Sequence, residues 1–246
     1  MIAFDEALVT AYSPDPAGGP DRVVRLLGPV TLRLAEHRVA VVGANGSGKS
    51  TLARLVNGLV LASSGTVTVD GLDAARDGAQ VRRRVGFVFS DPDAQLVMPT
   101  PVEDVGLSLR RTGLPAAQRD AAARRVLDRF GLGERADVPV HALSGGQRQL
   151  LALATVLATD PAVLVCDEPT TLLDLHWRTV VDGLLAGLEQ QVVIVTHDLE
   201  AALRADRVLV VEDGRVVADD EPAPAVAYYR TLMAERVAAT ARPVAP

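Results

Sequence analysis

The chain contains little cysteine and no long apolar run. Cys166 is the only cysteine among 246 residues, so an intramolecular disulfide is excluded. It lies inside the apolar run 163–166, which predicts a buried and unreactive thiol. No stretch of about 18 apolar residues occurs, and the N-terminus lacks a basic segment followed by an apolar one. We therefore expect a cytosolic chain with neither a signal peptide nor a membrane span.

Lysine is almost absent, and positive charge is in the minority. The formal net charge is −6, which argues against nucleic acid as a main partner. Of the 25 basic residues, Lys49 is the single lysine. Hydrophobic residues make up 48% of the composition, which is ample for the core of one large α/β domain or two small ones.

Lys49 stands in a glycine-rich stretch that fits the phosphate-binding pattern G-x-x-x-x-G-K-[ST]. In such a loop, successive backbone N–H groups bind phosphate oxygens, and glycines permit the close approach. Lys49 adds an ammonium group that can bind the oxygens of the β- and γ-phosphates, and the hydroxyl of Ser50 can ligate Mg²⁺. A helix that begins at Ser50 and Thr51 would point the positive end of its dipole at the phosphates. The predicted nucleotide-binding residues of this stretch are Gly43, Ala44, Asn45, Gly46, Ser47, Gly48, Lys49, Ser50 and Thr51.

The rest of the chain has the alternating pattern of an α/β fold. Short strands are expected over 1–38 around a proline- and glycine-rich insert at 13–20. A helix is expected over about 50–58, and helices at about 102–111 and 115–131 form a helical subdomain inserted into the α/β body. Strands at 65–71, 85–89, 162–167 and 192–196, a helix near 175–190 and a hairpin at 208–217 complete a mixed sheet. The end, from 222, is expected to be one short helix and a loose tail.

Two of the apolar strands end in side chains that can carry chemistry. Asp167 and Glu168 follow the strand 162–167, at the strand end where α/β sheets place their ligands. Asp167 can hold Mg²⁺ through water, and Glu168 can act as general base or polarise the attacking water; a solvated turn is the alternative. His197 ends the strand 192–196 and would reach the γ-phosphate if the two strands are neighbours; alternatively it is a surface or capping residue.

A second phosphate-binding pattern occurs far from the first. Ser144, Gly145 and Gly146 precede a helix expected to start at Gln147, so a hydroxyl, bare amides and a helix dipole would converge there. One triphosphate does not need two such sites from one chain.

At this point the sequence resembles the ATP-binding subunits of ABC transporters, whose LSGGQ signature is present letter for letter at 143–147. The resemblance runs from about Tyr12 to Asp219 and implies an ABC ATPase fold: a P-loop RecA-like core, an antiparallel β subdomain and an inserted helical signature subdomain. The expected ATPase domain is 1–222, with the helical subdomain at about 90–158, and 223–246 is expected to be a short C-terminal helix and tail. It implies hydrolysis of ATP with Mg²⁺ at a site shared by two subunits, in which the signature of one closes on the P-loop of the other. By resemblance, Tyr12 stacks on adenine; without the family, it is as readily a packing residue. The resemblance also implies that Asp167 ends the Walker B strand and that Glu168 is the catalytic glutamate. Asp174 would belong to the D-loop, and His197 would be the switch histidine.

The sequence departs from the family at Ser90, where glutamine is usual, and serine is too short to repeat that contact with Mg²⁺ or water. Either water bridges the gap, nucleotide sensing is altered, or the change is neutral. The segment around Gln95 is similar to energy-coupling-factor (ECF) importers, in which it packs against a transmembrane T subunit, and most similar to the ATPase of biotin transporters. The resemblance implies a peripheral protein on the cytoplasmic face of the membrane, with a second ATPase subunit (a homodimer in preference to a heterodimer), a T subunit and a substrate-binding S subunit.

Three alternatives stay open. An ECF ATPase for cobalt, nickel or another micronutrient has the same motifs, because a separate membrane protein selects the substrate. A soluble ABC protein acting on ribosomes or DNA is disfavoured by the single P-loop, the lack of coiled-coil heptads and the negative charge. A binding protein without catalysis is disfavoured because Lys49, Asp167, Glu168 and His197 are all present.

Overall fold

The computed structural model describes residues 1–13 and 21–240. The expected insert at 13–20, apart from Ser13, and the tail after 240 lie outside the described residues. In chain order the strands are β1 (Ile2–Ser13), β2 (Arg22–Leu34), β3 (Arg38–Val42), β4 (Ser64–Val69), β5 (Leu72–Asp73), β6 (Val85–Val88), β7 (Val163–Asp167), β8 (Gln191–Val195), β9 (Arg207–Glu212) and β10 (Arg215–Asp220). The helices are α1 (Lys49–Val56), α2 (Gly78–Arg84), α3 (Pro101–Leu109), α4 (Ala116–Arg129), α5 (Gly145–Leu157), α6 (Leu175–Ala186), α7 (Leu199–Ala202) and α8 (Pro222–Thr240).

The larger sheet has six strands in the order β10-β9-β3-β8-β7-β6, and all neighbours are parallel except β10 and β9. In the register of the sheet, Val195 of β8 lies beside Val41 of β3 and beside Asp167 of β7. The expected adjacency of the strands carrying Asp167 and His197 is therefore confirmed. Because parallel strands end at one edge, the loops after β3, β7 and β8 meet there.

Strand β7 is buried on both faces, as a central strand of a parallel sheet must be. Val163 and Val165 face the core between the two sheets, whereas Leu164 and Cys166 face a second core beneath the inserted helices. Cys166 is fully buried, as predicted, and its burial raises the pKa of the thiol. The uninterrupted apolar run of β7 is therefore explained by side chains that pack into a core on each face of the strand.

The second sheet is antiparallel, in the order β2-β1-β4-β5. The short strands expected over 1–38 are in fact two long ones of 12 and 13 residues. The apolar alternation breaks near Glu6 because the strand pairing shifts register between Phe4 and Ala7, and Glu6 takes a left-handed backbone with φ 48°. A bulge inside one strand, rather than a chain break, explains the interruption.

Helices α3, α4 and α5 lie between β6 and β7 in the chain and form the expected helical subdomain. Helices α3 and α4 closely match the expected spans, and a 3-10 turn at Arg110–Thr112 follows α3. Pro101 occupies the first turn of α3, and Glu103 accepts a hydrogen bond from the N–H of Thr100 at 3.1 Å, which marks the start of that helix. The antiparallel sheet and this subdomain confirm the ABC ATPase fold.

The C-terminal helix corrects the expectation of a short one, because α8 has 19 residues. Its sequence is rich in alanine and has no glycine, so nothing stops the helix early. Ala225 and Val226 are buried in a cluster with Val208 and Val210, which docks α8 on the outer face of the large sheet. Over residues 1–13 and 21–240, no helix combines the length and hydropathy needed to cross a bilayer.

Candidate active site

The phosphate-binding loop joins β3 to α1 and is shaped by close backbone contacts. A Cβ atom at Gly43 would lie 2.1 Å from the carbonyl oxygen of Val211, so only glycine fits there. Gly48 precedes α1 with φ 108°, and no side chain caps the helix at that position. The N–H groups of the first turn of a helix have no partner within the helix, so this end is suited to bind an anion.

Lys49 lies over this loop and is only 6% exposed. Its ammonium donates hydrogen bonds to the carbonyl oxygens of Gly43 at 2.9 Å and Ala44 at 2.8 Å. Burial lowers the pKa of Lys49, and the carboxylates of Glu168 and Asp167 partly oppose that effect. A buried cation held among carboxylates and bare amides is a site for phosphate oxygens.

Ser50 and Asp167 meet at the edge of the loop, where the hydroxyl of Ser50 donates a hydrogen bond to Oδ1 of Asp167 at 2.8 Å. Asp167 is buried, and its Oδ2 is 3.5 Å from a guanidinium nitrogen of Arg54. Among the described residues, no group of three or more His, Cys, Asp or Glu side chains converges to hold a metal. The hydroxyl and carboxylate fit Mg²⁺, a hard cation that takes few protein ligands and fills its shell with phosphate oxygens and water.

Glu168 has an unusual backbone and a firmly held side chain. Its φ of 55° is rare for a residue with a Cβ and marks local strain. Its N–H donates to the carbonyl oxygen of Val195 at 2.9 Å, which ties it to β8. Oε2 accepts a hydrogen bond from the hydroxyl of Thr171 at 2.8 Å and lies 2.8 Å from Nδ1 of His197.

These contacts orient His197 as well as Glu168. An ionised carboxylate only accepts hydrogen bonds, so Nδ1 of His197 carries the proton and a neutral ring keeps its lone pair on Nε2. The side chain of His197 is 55% exposed and that of Glu168 is 18% exposed, so the pair faces outward from the sheet edge. The structure therefore brings together the loop, Asp167, Glu168 and His197 at one edge.

The second predicted phosphate site opens α5 at Gly145, two residues earlier than expected. Ser144 caps the helix: its Oγ accepts from the N–H of Gln147 at 3.2 Å, and its own N–H donates to the side-chain oxygen of Gln147 at 2.9 Å. The two glycines differ. A Cβ at Gly146 would lie 2.1 Å from the ring of Trp177, whereas one at Gly145 would meet no described atom within 4 Å.

The family model for "ABC transporter" matches residues 27–171, which include the loop, the signature and the Asp167–Glu168 strand end. The chain belongs to the ABC transporter family. Its members couple ATP hydrolysis to transport, and this chain is an ABC-type ATPase.

Relatives of this ABC ATPase include two proteins that are named for transport. It is 45% identical over 208 residues to the biotin transport ATP-binding protein BioM of Rhizobium etli, covering 85% of this chain and 92% of the relative. It is 41% identical over 218 residues to the energy-coupling factor transporter ATP-binding protein EcfA1 of Symbiobacterium thermophilum, covering 86% of this chain and 76% of the relative.

Two solved ABC structures share the fold. CbiO1 of Clostridium perfringens, part of the ABC transporter complex CbiONQ, superposes with a TM-score of 0.76 at 28% identity, covering 96% of this chain and 94% of the other. A dimer of the ATP-binding cassette MJ0796 bound to ADP and phosphate superposes with a TM-score of 0.77 at 27% identity, covering 90% of this chain and 99% of that one.

Other predicted residues of the ABC ATPase are exposed on the subunit surface. Ser144 and Gly145 are exposed, and the recorded hydrogen bonds of Ser144 stay within α5. Tyr12 lies near the end of β1 and is 77% exposed. Asp174 caps α6 by accepting from the N–H of Trp177 at 2.9 Å. The subunit therefore has one assembled cradle, and several of the other predicted residues are exposed.

Ser90 and Gln95 follow β6 and have different environments. Ser90 is exposed, whereas Gln95 turns inward and joins the segment to α5. The amide nitrogen of Gln95 donates to the carbonyl oxygen of Ala152 at 2.8 Å and to the hydroxyl of Thr155 at 3.2 Å, and its Oε1 accepts from the N–H of Phe89 at 3.3 Å. Gln95 thus fastens the 90–105 segment to the helix that begins at the signature.

Three contacts at the site were missed by motif reasoning. Thr171 lies within the D-loop motif, and its spacing of three from Glu168 was the available signal. Trp177, the single tryptophan, explains Gly146, but nothing in the sequence pairs them. Glu212 ends β9 and joins Glu168 and Asp167 as a carboxylate near Lys49, without belonging to any motif.

Proposed function

We propose that this ABC ATPase is the ATP-hydrolysing subunit of an ECF-type importer, and that two copies close around two Mg·ATP to energise uptake of a vitamin, biotin in the first instance. The observation that carries the shared site is the contrast between Gly145 and Gly146. Gly146 is explained by Trp177 inside the subunit, whereas Gly145 has an unobstructed Cβ direction and no left-handed backbone. A glycine without an internal reason is expected where a group from outside, here the nucleotide phosphates held by a partner subunit, comes very close.

The exposed surface around the signature supports a second subunit. Leu172 is 73% exposed and Leu175 is 77% exposed, on either side of Asp174. Leu172 shares a cavity of about 160 Å³ with Gly145, so this apolar side chain lies beside the signature. An exposed apolar patch next to the signature is typical of a surface that another protein covers.

Hydrolysis is assigned to Glu168. Its Oε2 is held by Thr171 and His197, which leaves Oε1 to accept a proton from the attacking water as the water oxygen bonds to the γ-phosphorus and ADP departs. His197 holds Glu168 and presents Nε2 toward the nucleotide. Lys49 and the first turn of α1 bind the phosphates. Mg²⁺, bound by Ser50 and through water by Asp167, would neutralise charge on the β and γ oxygens.

The 90–105 segment and the named relatives support the assignment to transport. Gln95 connects this segment to α5, so a membrane subunit that moves the segment would also move Ser144 at the start of that helix. BioM and EcfA1 are named for biotin and energy-coupling-factor transport, which favours a T subunit and an S subunit as partners at the cytoplasmic face of the membrane. CbiO1 belongs to a different ABC transporter complex, so an importer of cobalt, nickel or another micronutrient stays the second candidate.

The shared site is tested with Glu168→Gln. We expect ATP binding without turnover, so that the variant elutes as a dimer in gel filtration with Mg·ATP and as a monomer without it. Glu134→Gln, the same change on an exposed residue of the helical subdomain, is the matched control and should turn over like the wild type. A Glu168→Gln variant that stays monomeric and keeps full turnover would refute both the base and the sandwich.

The transport assignment is tested separately by purifying the tagged chain from detergent-solubilised membranes and identifying the copurifying proteins. We expect two small membrane proteins, and binding of labelled biotin by the purified complex. Binding of cobalt or nickel instead of biotin would select the second candidate. Copurification of ribosomes or DNA without membrane proteins would overturn the transport function while leaving the ATPase intact.

A further inference from the structure

The hairpin turn between β9 and β10 lies directly behind the phosphate-binding loop. Val211 of β9 contacts the loop where a Cβ at Gly43 would lie 2.1 Å from its carbonyl oxygen. Gly214 of the turn donates a backbone hydrogen bond to the carbonyl oxygen of Ser47 at 2.8 Å. Glu212 is between these two contacts in the chain, so its carboxylate is attached to the backbone that supports the loop.

Glu212 is a poorly solvated negative charge. It is 8% exposed, and it forms an ion pair with Arg236, whose guanidinium donates a hydrogen bond to Oε1. Its other oxygen, Oε2, is buried without a hydrogen-bond donor among the described residues. The charge acts at the active site, because Glu212 is one of the three carboxylates that oppose the effect of burial on the pKa of Lys49.

The C-terminal helix places Arg236 at this point. Val226, Tyr229, Met233 and Arg236 follow a spacing of three, four and three, so they share one face of α8. Val226 is buried against Val208 and Val210 of β9, which fixes the beginning of that face on the sheet. Ten residues along the helix, the same face brings Arg236 to Glu212, beyond the buried part of β9.

We propose that Arg236 is a positioning residue for nucleotide binding: by neutralising Glu212 behind the phosphate-binding loop, it lets the loop accept a triphosphate without an added negative charge behind it. Without Arg236, the Glu212 carboxylate would repel the phosphates and compete with them for Lys49. The role makes α8 part of the ATP site although it lies outside every recognised motif. It rests on ATP binding by the proposed function, and does not depend on dimer closure or on transport.

The test measures the Kd of a fluorescent ATP analogue for the isolated subunit in five variants. Arg236→Met keeps most of the side-chain length and removes the charge, and should weaken binding about tenfold, equivalent to about 1.4 kcal/mol. The Kd should recover in Glu212→Gln/Arg236→Met, stay close to the wild type in Glu212→Gln, and recover largely in Arg236→Lys. Arg230→Ala is the matched control, because Arg230 lies on the same helix, 3.9 Å from exposed Glu200, and should bind normally.

Added salt distinguishes charge from packing. The side chain of Arg236 is 48% exposed, so the loss in Arg236→Met should shrink between 50 mM and 500 mM salt. A wild-type Kd for Arg236→Met would overturn the proposal, and so would a double variant that binds as weakly as Arg236→Met alone. If Arg236→Met does not fold, Arg236→Gln takes its place in the same comparison, and a wild-type Kd for Arg236→Gln would equally overturn the proposal. Failure of the Glu168→Gln trap with these Kd values intact would instead refute the proposed function.

Discussion

The two adjacent glycines of the signature should respond in opposite ways to the same added methyl group. Gly146→Ala puts a Cβ 2.1 Å from two ring atoms of Trp177, far inside any real contact, so the indole or the helix must move. Overpacking of this kind costs about 1–3 kcal/mol. At Gly145 no described atom lies within 4 Å of the new methyl, and the backbone is not left-handed. Replacing that glycine by alanine should leave the folded subunit unstrained and stabilise it by about 0.4–1 kcal/mol, because the unfolded chain loses freedom.

Urea denaturation of the nucleotide-free subunit should therefore order the proteins as Gly146→Ala, wild type and Gly145→Ala, from least to most stable. Dimerisation should separate from stability. When combined with Glu168→Gln, Gly145→Ala should abolish or greatly reduce the ATP-induced dimer in gel filtration, although it is the more stable subunit. A Gly145→Ala/Glu168→Gln protein that dimerises with ATP as fully as Glu168→Gln would refute the argument that a group from outside the subunit approaches Gly145.

Two further predictions concern single side chains. Thr171→Val removes one of the two hydrogen bonds to Oε2 of Glu168 and should lower kcat about tenfold, in line with about 1.5 kcal/mol for a bond to a charged group. ATP affinity should stay unchanged, and kcat should recover in Thr171→Ser. A fall in ATP affinity with kcat intact would contradict the orienting role of Thr171. Asp104 is 4% exposed and accepts hydrogen bonds from the N–H groups of Val97 and Met98. Burial nevertheless raises the pKa of its carboxyl above 3.8, so the folded state binds the proton more tightly than the unfolded state does. The free energy of unfolding should therefore fall as the pH rises from 3.8 through that raised pKa. Asp104→Asn keeps an oxygen for both N–H groups and should remove this slope and be at least as stable at pH 7; wild type and variant showing parallel pH profiles in urea denaturation would contradict the assignment.

Much of the fold was predictable because its signals are local. The run leading into the glycine-rich loop, the apolar strand ending in Asp167 and Glu168, and the strand ending in His197 each specify a parallel strand with a polar end. Parallel strands share an edge, so these residues had to meet. The two long N-terminal strands and the long C-terminal helix were misjudged, because a bulge interrupts the alternation near Glu6 and because the docking of Ala225 and Val226 depends on a sheet formed elsewhere in the chain.

Motif order and residue type alone were enough to identify the family and to predict the phosphate cradle, the base Glu168 and the signature, since these depend on backbone geometry that a few residues specify. Tertiary packing alone decided which side chains contact the residues of the site and of its supports: Thr171 contacts Glu168, Trp177 packs against Gly146, Gln95 bonds to the signature helix and Arg236 pairs with Glu212. Such contacts join elements that are distant in the chain, and their formation depends on the helix face or strand register that the assembled core imposes. A pattern of letters carries the period of an element, but not the direction in which each element finally faces its neighbours.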